Sequence, residues 1–326
     1  MKKILVTGGA GYIGSHIVEL LVKRKKKVFI IDNLSTGYRQ LINKKAKFYK
    51  LNILETKKVK DIIVKNKIDA VIHLAGSLSV GIGEKYPKKY FLNNVIGTQS
   101  LLNACNFAKV KNFIFSSTAA VYKDGLNKVN EQSKIKPKSF YGKTKIKAEN
   151  KIISNCKKNN INYGILRYFN VVGASPSGKI GLINKGDHLF KNFSIQILKK
   201  NPILKIYGKN YKTHDETTIR DYIHVSDLAE IHIDLLNKIS LTDKSVILNC
   251  GYGKGISVME AAKEFKKLNK NKVKILIKNR RAGDMLRIVA QNSKLLKFLK
   301  WKPKYNKLTF IVKNCVMWEK KLQKKN

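Results

Sequence analysis

The sequence predicts an α/β fold, a doubly wound parallel sheet followed by a smaller C-terminal α/β part. Three observations carry this. Short apolar runs alternate with longer amphipathic stretches through the first half. A glycine-rich stretch stands where the first apolar run gives way to the first helical pattern. After Asn170 the rhythm breaks into a Gly-, Ser- and Pro-containing stretch before a second, looser alternation begins.

In chain order, Lys3–Thr7 is a run of Ile, Leu and Val, the composition of a strand covered on both faces. Ile13–Lys23 spaces its apolar residues as a helix does and ends on a lysine. Lys27–Asp32, Lys47–Leu51 and Ala70–Ala75 repeat the strand pattern, and Thr56–Lys65 repeats the helical one. Pro87–Ala108 reads as a long helix with proline at its first position. Asn112–Ser117 and Tyr163–Phe169 supply two more strands, separated by a helix over Ser139–Asn159. Val172–Asp187 reads as a long surface loop, a feature that is usually functional in a compact protein. Beyond it come a helix near His188–Lys200, a strand near Leu204–Tyr207 and a helix near Val225–Lys238. Ser245–Cys250 is expected to return as a strand to the large sheet, and Leu308–Lys320 closes the chain as a helix. No repeat or low-complexity linker separates the parts, so one compact body is expected.

Composition narrows the class. A chain of 326 residues that is 43% hydrophobic can bury a sizeable core. No apolar run approaches the roughly 20 residues that span a bilayer. The first strand is too short for a secretory segment and Gly8-Gly9 interrupts it, so a cytoplasmic protein folded almost from residue 1 is expected, with no membrane partner. Cys105, Cys156, Cys250 and Cys315 are scattered without a CxxC pair, and no histidines have metal-ligand spacing. Neither disulfides nor a metal site is expected. Lys and Arg total 67 against 21 Asp and Glu, a net charge of +46. Such a field attracts polyanions. The lysines are spread along the whole chain without a basic stripe interleaved with aromatics, so no specific nucleic-acid partner is expected.

Val6-Thr7-Gly8-Gly9-Ala10-Gly11-Tyr12-Ile13-Gly14 satisfies GxGxxG from Gly9 and TGxxGxxG from Gly8. Glycine permits the sharp turn, the close approach of backbone to a pyrophosphate, and tight packing of helix on strand. Amides at the helix N-terminus then face the phosphates. Asp32 ends the second strand 18 residues after Gly14, where an acid can bond both hydroxyls of an adenosine ribose. Its charge opposes a 2′-phosphate, which favours NAD over NADP. The bland alternative is that Asp32 only caps the turn Asp32-Asn33-Leu34-Ser35. Strand, turn, helix, strand and acid in this order make a Rossmann-like, dinucleotide-binding first part over residues 1–175, joined by a return near residues 225–250.

Tyr141 and Lys145 stand at i and i+4, on one face of a helix. A phenol is a poor base at neutral pH, and a neighbouring ammonium stabilises its phenolate. In so lysine-rich a chain this spacing alone is weak. Phe115-Ser116-Ser117-Thr118 strengthens it, because it places Thr118 at the carboxyl edge of the sheet, where ligands of doubly wound sheets bind. A hydroxyl there can relay a proton to or from Tyr141.

With these residues in hand, the chain resembles the extended short-chain dehydrogenase/reductases, and among them the UDP-glucose 4-epimerases. The resemblance runs nearly end to end. Besides the motifs above, it is carried by Asn93-Asn94-Val95, Leu166-Arg167-Tyr168-Phe169-Asn170, Arg220-Asp221-Tyr222-Ile223-His224-Val225 and Arg280-Arg281-Ala282-Gly283-Asp284. It implies bound NAD, a Tyr141 base assisted by Thr118, and a Lys145 that bonds the nicotinamide ribose and lowers the pKa of Tyr141. The implied reaction interconverts UDP-glucose and UDP-galactose through a 4-keto sugar without net redox change. Gly8, Gly11, Tyr12 and Ile13 match cofactor positions, as do Asp32 with Asn33, Asn52 with Ile53, Ala75 with Gly76, Asn93 and Tyr168. Asn170, Tyr207, Arg220, Arg281 and Asp284 match substrate positions, in a nucleotide-sugar-binding part over residues 176–326. Guanidiniums suit a diphosphate and a carboxylate suits sugar hydroxyls. The family also implies a homodimer, paired through the helices Pro87–Ala108 and Ser139–Asn159.

The chain departs from the family in places. Asn52 stands where an aspartate usually accepts from the adenine amino group, and its amide oxygen still accepts. Leu78 replaces a lysine found in some members, Lys123 a common glycine, and Ile288 a tyrosine that limits the sugar pocket. The last keeps a UDP-N-acetylglucosamine 4-epimerase open as an alternative, beside a UDP-pentose 4-epimerase. A 4,6-dehydratase needs an acid pair after the Ser/Thr, and here Thr118 is followed by Ala119-Ala120. A non-catalytic NAD-binding protein would not need the Thr118, Tyr141 and Lys145 set.

Overall fold

A computed structural model describes residues 2–184, 186, 188–269, 273–281 and 284–324. Asp187, at the end of the expected loop, and Ala282 and Gly283 of the Arg280–Asp284 motif lie outside the described residues. The chain divides into two compact units, one of residues 1–121, 135–168 and 229–248, the other of 122–134, 169–228 and 249–326.

The first unit opens with β1 (Lys3–Thr7), α1 (Tyr12–Lys23), β2 (Lys27–Asp32), β3 (Lys47–Lys50), α2 (Thr56–Asn66) and β4 (Ala70–His73). It continues with α3 (Val80–Lys85), α4 (Pro87–Phe91), α5 (Gly97–Phe107), β5 (Asn112–Thr118), α6 (Phe140–Lys158) and β6 (Asn162–Tyr168). With β10 (Val246–Cys250), the strand order β10-β6-β5-β4-β1-β2-β3 contains the Rossmann order of a doubly wound sheet, and the pairs from β3 through β6 are all parallel. The order reverses between β1 and β4, so the C-terminal ends of these strands flank the switch point where ligands bind. Core residues such as Leu5, Phe29, Val71, Leu101, Phe113 and Ile152 interlock strands with α2, α5 and α6.

The helix expected over Pro87–Ala108 is not uniform. Leu92–Ile96 form a π-helical turn between α4 and α5, and Asn93 and Asn94 lie within it. Such turns shift the side-chain phase by one residue and concentrate at functional sites.

The second unit contributes β7 (Asn170–Val172), α7 (Leu189–Ile197), β8 (Ile203–Tyr207) and β9 (Ile219–His224). Next come α8 (Val225–Thr242), which passes into the first unit at Ala229, and β10 (Val246–Cys250), which leaves it after Leu248. β11 (Gly255–Ser257), α9 (Val258–Lys266), β12 (Lys274–Lys278), β13 (Arg287–Ile288), α10 (Ser293–Leu299) and α11 (Leu308–Gln323) complete it. β9 is the hub of its small sheet, pairing with β7, β11 and β13. Phe190, Phe193, Phe265 and Tyr222 pack as tilted and edge-to-face pairs beneath it. Asp221 of β9 is fully buried and accepts the backbone amides of Tyr252 (2.8 Å), Gly253 (2.8 Å) and Ala290 (3.2 Å). It thereby ties β9 to the turn after β10 and to the strand end after β13.

All four cysteines are free and buried, and burial pushes each thiol up. Among the described residues no helix is long and apolar enough to cross a membrane, and no His, Cys, Asp and Glu cluster could hold a metal ion.

Candidate active site

The glycine-rich turn follows β1 directly. Gly8 has φ of +73°, the left-handed region that favours glycine, and a Cβ there would come within 2.8 Å of the Ala75 amide nitrogen. A Cβ at Gly14 would lie 2.2 Å from the Gly8 carbonyl oxygen, so this glycine lets α1 pack onto the turn. A Cβ at Gly11 would meet only that same oxygen, at 3.2 Å, which leaves the helix entrance open. Gly11 caps α1 without a side chain, and no acid stands in the first turn. The backbone of Tyr12 and Ile13 thus opens a helix whose N-terminal field suits a phosphate. This cradle fits a dinucleotide pyrophosphate.

Asp32 is buried at the end of β2, and its carboxylate accepts from the Ala10 amide (3.0 Å) and the Leu34 amide (2.8 Å). Burial pushes its pKa up while these two bonds oppose the shift. It does cap its turn, yet each oxygen keeps a lone pair for a ribose hydroxyl. The exposed Asn33 accepts from the Ser35 amide at 3.0 Å. The Asn52 side-chain oxygen accepts from the Leu54 amide at 3.1 Å, so its remaining acceptor capacity is what a base amino group could use. The Ile53 side chain packs in the core against Gly97 and its carbonyl accepts from Ser100, which leaves only its amide to face a ligand.

Ala75 and Gly76 follow β4 on a loop held from behind. Asn94 is the clamp: its amide oxygen accepts from Ser77 N (2.7 Å), and its Nδ2 donates to the Ser77 carbonyl (3.2 Å) and to Thr144 Oγ1 (3.0 Å). Thr144 in turn donates to the Tyr141 carbonyl at 2.8 Å. Asn93, the residue singled out from sequence, donates to Ser77 Oγ at 3.0 Å. His73 lies fully buried between Thr7 (2.7 Å) and Thr98 (3.0 Å), and burial, aided by the Lys145 charge, pushes it down to about 3. It is therefore a neutral link. Thr98 donates to the Asn94 carbonyl, so His73 carries its proton on Nε2 and accepts from Thr7 on Nδ1.

Tyr141 and Lys145 occupy the first turns of α6, which Ser139 caps by accepting from Gly142 N at 3.1 Å. Glu84 accepts from Phe140 N at 2.7 Å at the same end. Gly142 permits close approach, since a Cβ there would sit 2.6 Å from the Ala120 carbonyl oxygen. The half-buried Thr118 hydroxyl faces the Tyr141 phenol, whose pKa it helps keep from rising further, and accepts from Ala120 N at 3.1 Å. The structure therefore brings Thr118, Tyr141 and Lys145 together at the carboxyl edge of the sheet. Lys145 is 3% exposed, and its Nζ lies 4.4 Å from the centre of the Phe115 ring. Burial pushes it down to about 7, opposed by the charge of Glu149. Burial also pushes Tyr141 up to about 12, so desolvation outweighs any lowering by Lys145 in the protein alone. The Tyr168 phenol hydrogen-bonds His232, with the two rings at 5.4 Å.

In the second unit, Arg220, Arg281, Asp284 and Tyr207 converge. Arg220 Nη2 lies 3.9 Å from Asp284 Oδ1, and the Arg281 guanidinium stacks 3.8 Å above the Tyr207 ring. Asp284 N donates to the Arg281 carbonyl at 3.4 Å. The exposed Asn170 opens β7, paired in register with Tyr222 of β9, two residues past Arg220. Ile288 is buried directly across from Arg220 in β13. Leu78 is exposed, as is Lys123, whose amide donates to the Lys134 carbonyl.

Sequence reasoning gave no role to Asn94, His73, Ser117, Glu149 or Arg167. Ser117, Asn94 and Arg167 stand inside motifs that were recognised, whereas Glu149 is a lone acid on a lysine-rich helix. The one signal for it was its spacing, four residues past Lys145.

Residues 4–251 match the model of the NAD dependent epimerase/dehydratase family. A UDP-glucose 4-epimerase of Lactobacillus helveticus is 39% identical over 322 residues, covering 98% of this chain and 97% of the relative. The fold is similar to the crystal structure of UDP-glucose-4-epimerase from Stenotrophomonas maltophila with bound NAD and formylated UDP-arabinopyranose. The TM-score is 0.95 at 32% identity, over 100% of both chains. The UDP-Glc/GlcNAc 4-epimerase of Campylobacter jejuni superposes with a TM-score of 0.85 at 35% identity, over 98% of this chain and 100% of that one.

Proposed function

The chain belongs to the NAD dependent epimerase/dehydratase family, and from that premise we propose that it is an isomerase, an NAD-dependent 4-epimerase interconverting UDP-glucose and UDP-galactose. The observation that carries the reading is the cluster of half-buried Thr118 with buried Tyr141 and Lys145 at the sheet edge, with Ala119-Ala120 in place of any acid pair. Without those acids the C5 proton and C6 hydroxyl chemistry of a dehydratase has no agent.

NAD, when bound, supplies the group that accepts the hydrogen and electron pair from sugar C4 and returns them. The backbone of Gly8, Gly11, Tyr12 and Ile13 is read as holding its pyrophosphate, and Asp32 with Asn33 its adenosine ribose. Asn52 and Ile53 serve the adenine end, while Ala75, Gly76, Asn93, Lys145 and Tyr168 serve the nicotinamide half. Tyr141 Oη takes the proton of the C4 hydroxyl and gives it back, with Thr118 hydrogen-bonding the same oxygen. A phenol held near 12 by burial needs positive charge beside it to do so, and Lys145 stands one helical turn away. Arg220 and Arg281 suit the diphosphate, Asp284 and Asn170 suit hydroxyls, and Tyr207 offers a flat face to a base.

The finer assignments are a cytoplasmic location and a homodimer. The second is supported by Phe91 (36%), Leu92 (46%), Ile96 (39%) and Phe107 (63%), large apolar side chains exposed along residues 87–107. UDP-N-acetylhexosamines are a second substrate class, favoured by the modest size of Ile288 beside Arg220.

The test is incubation of the purified chain with UDP-galactose and, separately, UDP-N-acetylgalactosamine, with the epimeric products resolved by chromatography. Conversion of UDP-galactose is expected, and a folded chain converting neither would overturn the assignment. Tyr141→Phe is expected to lose at least about 100-fold in kcat, as removal of a general base does, while still retaining NAD.

A further inference from the structure

Behind the Tyr141–Lys145 pair lies a buried charged group that the reaction as described does not use. Tyr141, Lys145 and Glu149 stand at i, i+4 and i+8, on one face of α6. Glu149 is 1% exposed, and its carboxylate accepts from Arg167 Nε (3.0 Å), Arg167 Nη2 (2.6 Å) and the Ser117 hydroxyl. Ser117 precedes Thr118 on β5, and Arg167 precedes Tyr168 on β6, so each partner adjoins a residue of the site. Three hydrogen bonds from two strands leave the carboxylate a single orientation. A buried ion pair of this kind is weak evidence of a stabilising role, since apolar replacements are often as stable.

The titratable groups around Lys145 are His73 from β4, Tyr141 and Glu149 from its own helix, and Arg167 from β6, which reaches Glu149. β5 contributes the Phe115 ring and the Ser117 hydroxyl. His73 is neutral, and in the protein alone burial keeps the proton on Tyr141. Glu149, ion-paired with Arg167, is the one carboxylate among them. On the 4-epimerase reading, which needs a cation beside Tyr141, we propose that Glu149 is the fixed counter-charge that keeps Lys145 protonated, a positioning residue locked by Arg167 and Ser117.

The sign follows from the charges. Burial favours neutral Lys145 and Glu149 favours the ammonium. Removing the carboxylate therefore makes Lys145 lose its proton at lower pH, and turnover declines there with it.

Glu149→Gln removes the carboxylate that balances the buried Arg167 charge, so it is studied beside a Glu149→Gln/Arg167→Met double variant that removes both charges together. The Lys145 side chain is titrated by nitrogen-15 NMR in lysine-labelled full-length protein, its resonance assigned by loss in Lys145→Arg. In folded Glu149→Gln the Lys145 midpoint is expected to fall by about one unit, and in the double variant, which also loses the opposing Arg167 charge, by less. The alkaline limb of kcat against pH should move down with it, while KM for UDP-galactose stays within about twofold. A midpoint unchanged from the wild type overturns the role of Glu149, and so does a kcat profile that stays put while the midpoint moves. A wild-type chain inactive on UDP-galactose overturns the 4-epimerase reading instead, and the NMR midpoint still decides the counter-charge.

Discussion

Gly14 cannot carry a side chain where it stands. An added Cβ would lie 2.2 Å from the Gly8 carbonyl oxygen and 2.8 Å from Gly9 Cα, both of them backbone. Gly14→Ala is expected to cost about 1–3 kcal/mol as α1 is pushed off the turn. Denaturant unfolding should show that loss, together with a fall in co-purified NAD. The glycines, Asp32, Tyr141 and Lys145 were legible in the sequence because their chemistry tolerates few residue types at fixed spacings. Glu149 was not, because a lone acid on a lysine-rich helix looks like a solvated residue until Arg167, 18 positions on, is found beside it. Asn93 was named from its match to the family's cofactor positions, whereas its neighbour Asn94 in the π-helical turn shows its part only through its bonds to Ser77 and Thr144.

Among the elements, β9 depends on one side chain. Asp221→Ala would leave the amides of Tyr252, Gly253 and Ala290 without their acceptor. At about 1–3 kcal/mol for each unmade buried bond, a loss of roughly 3 kcal/mol or more is expected, read as a lower urea midpoint. Burial pushes Asp221 up from 3.8 to about 6. A raised folded-state pKa gives stability that is full below the ordinary value and is lost as pH rises through about 6. That decline between pH 4 and 6 should be absent from the variant. The long strands and helices of the first unit were legible because each fills several periods of its own pattern. β7, β11 and β13 were not, since two or three residues are too few to show a period of two. The Arg220–Val225 stretch was read as a binding motif, and its service as the central strand β9 emerges only from its pairing on both sides.

Across the whole molecule, a net charge of +46 makes self-repulsion a global term. Raising salt from about 10 mM to about 150 mM shortens the Debye length to about 8 Å, and the thermal midpoint is expected to rise. A fall would mean that surface ion pairs outweigh the repulsion. The fold class was legible from the alternation of elements. The membership of residues 122–134 in the second unit was not, because it rests on tertiary bonds without any shift in composition. The Tyr122 hydroxyl donates to Asn249 Oδ1 at 2.6 Å, and Asn249 Nδ2 donates to the Val129 carbonyl at 2.9 Å. The same two-unit division gives the four buried thiols an unplanned use. Cys105 and Cys156 lie in one unit, Cys250 and Cys315 in the other. Each sulfur stays out of reach of an alkylating reagent until the chain around it opens, so the protein carries two native stopwatches, one timing the breathing of each half.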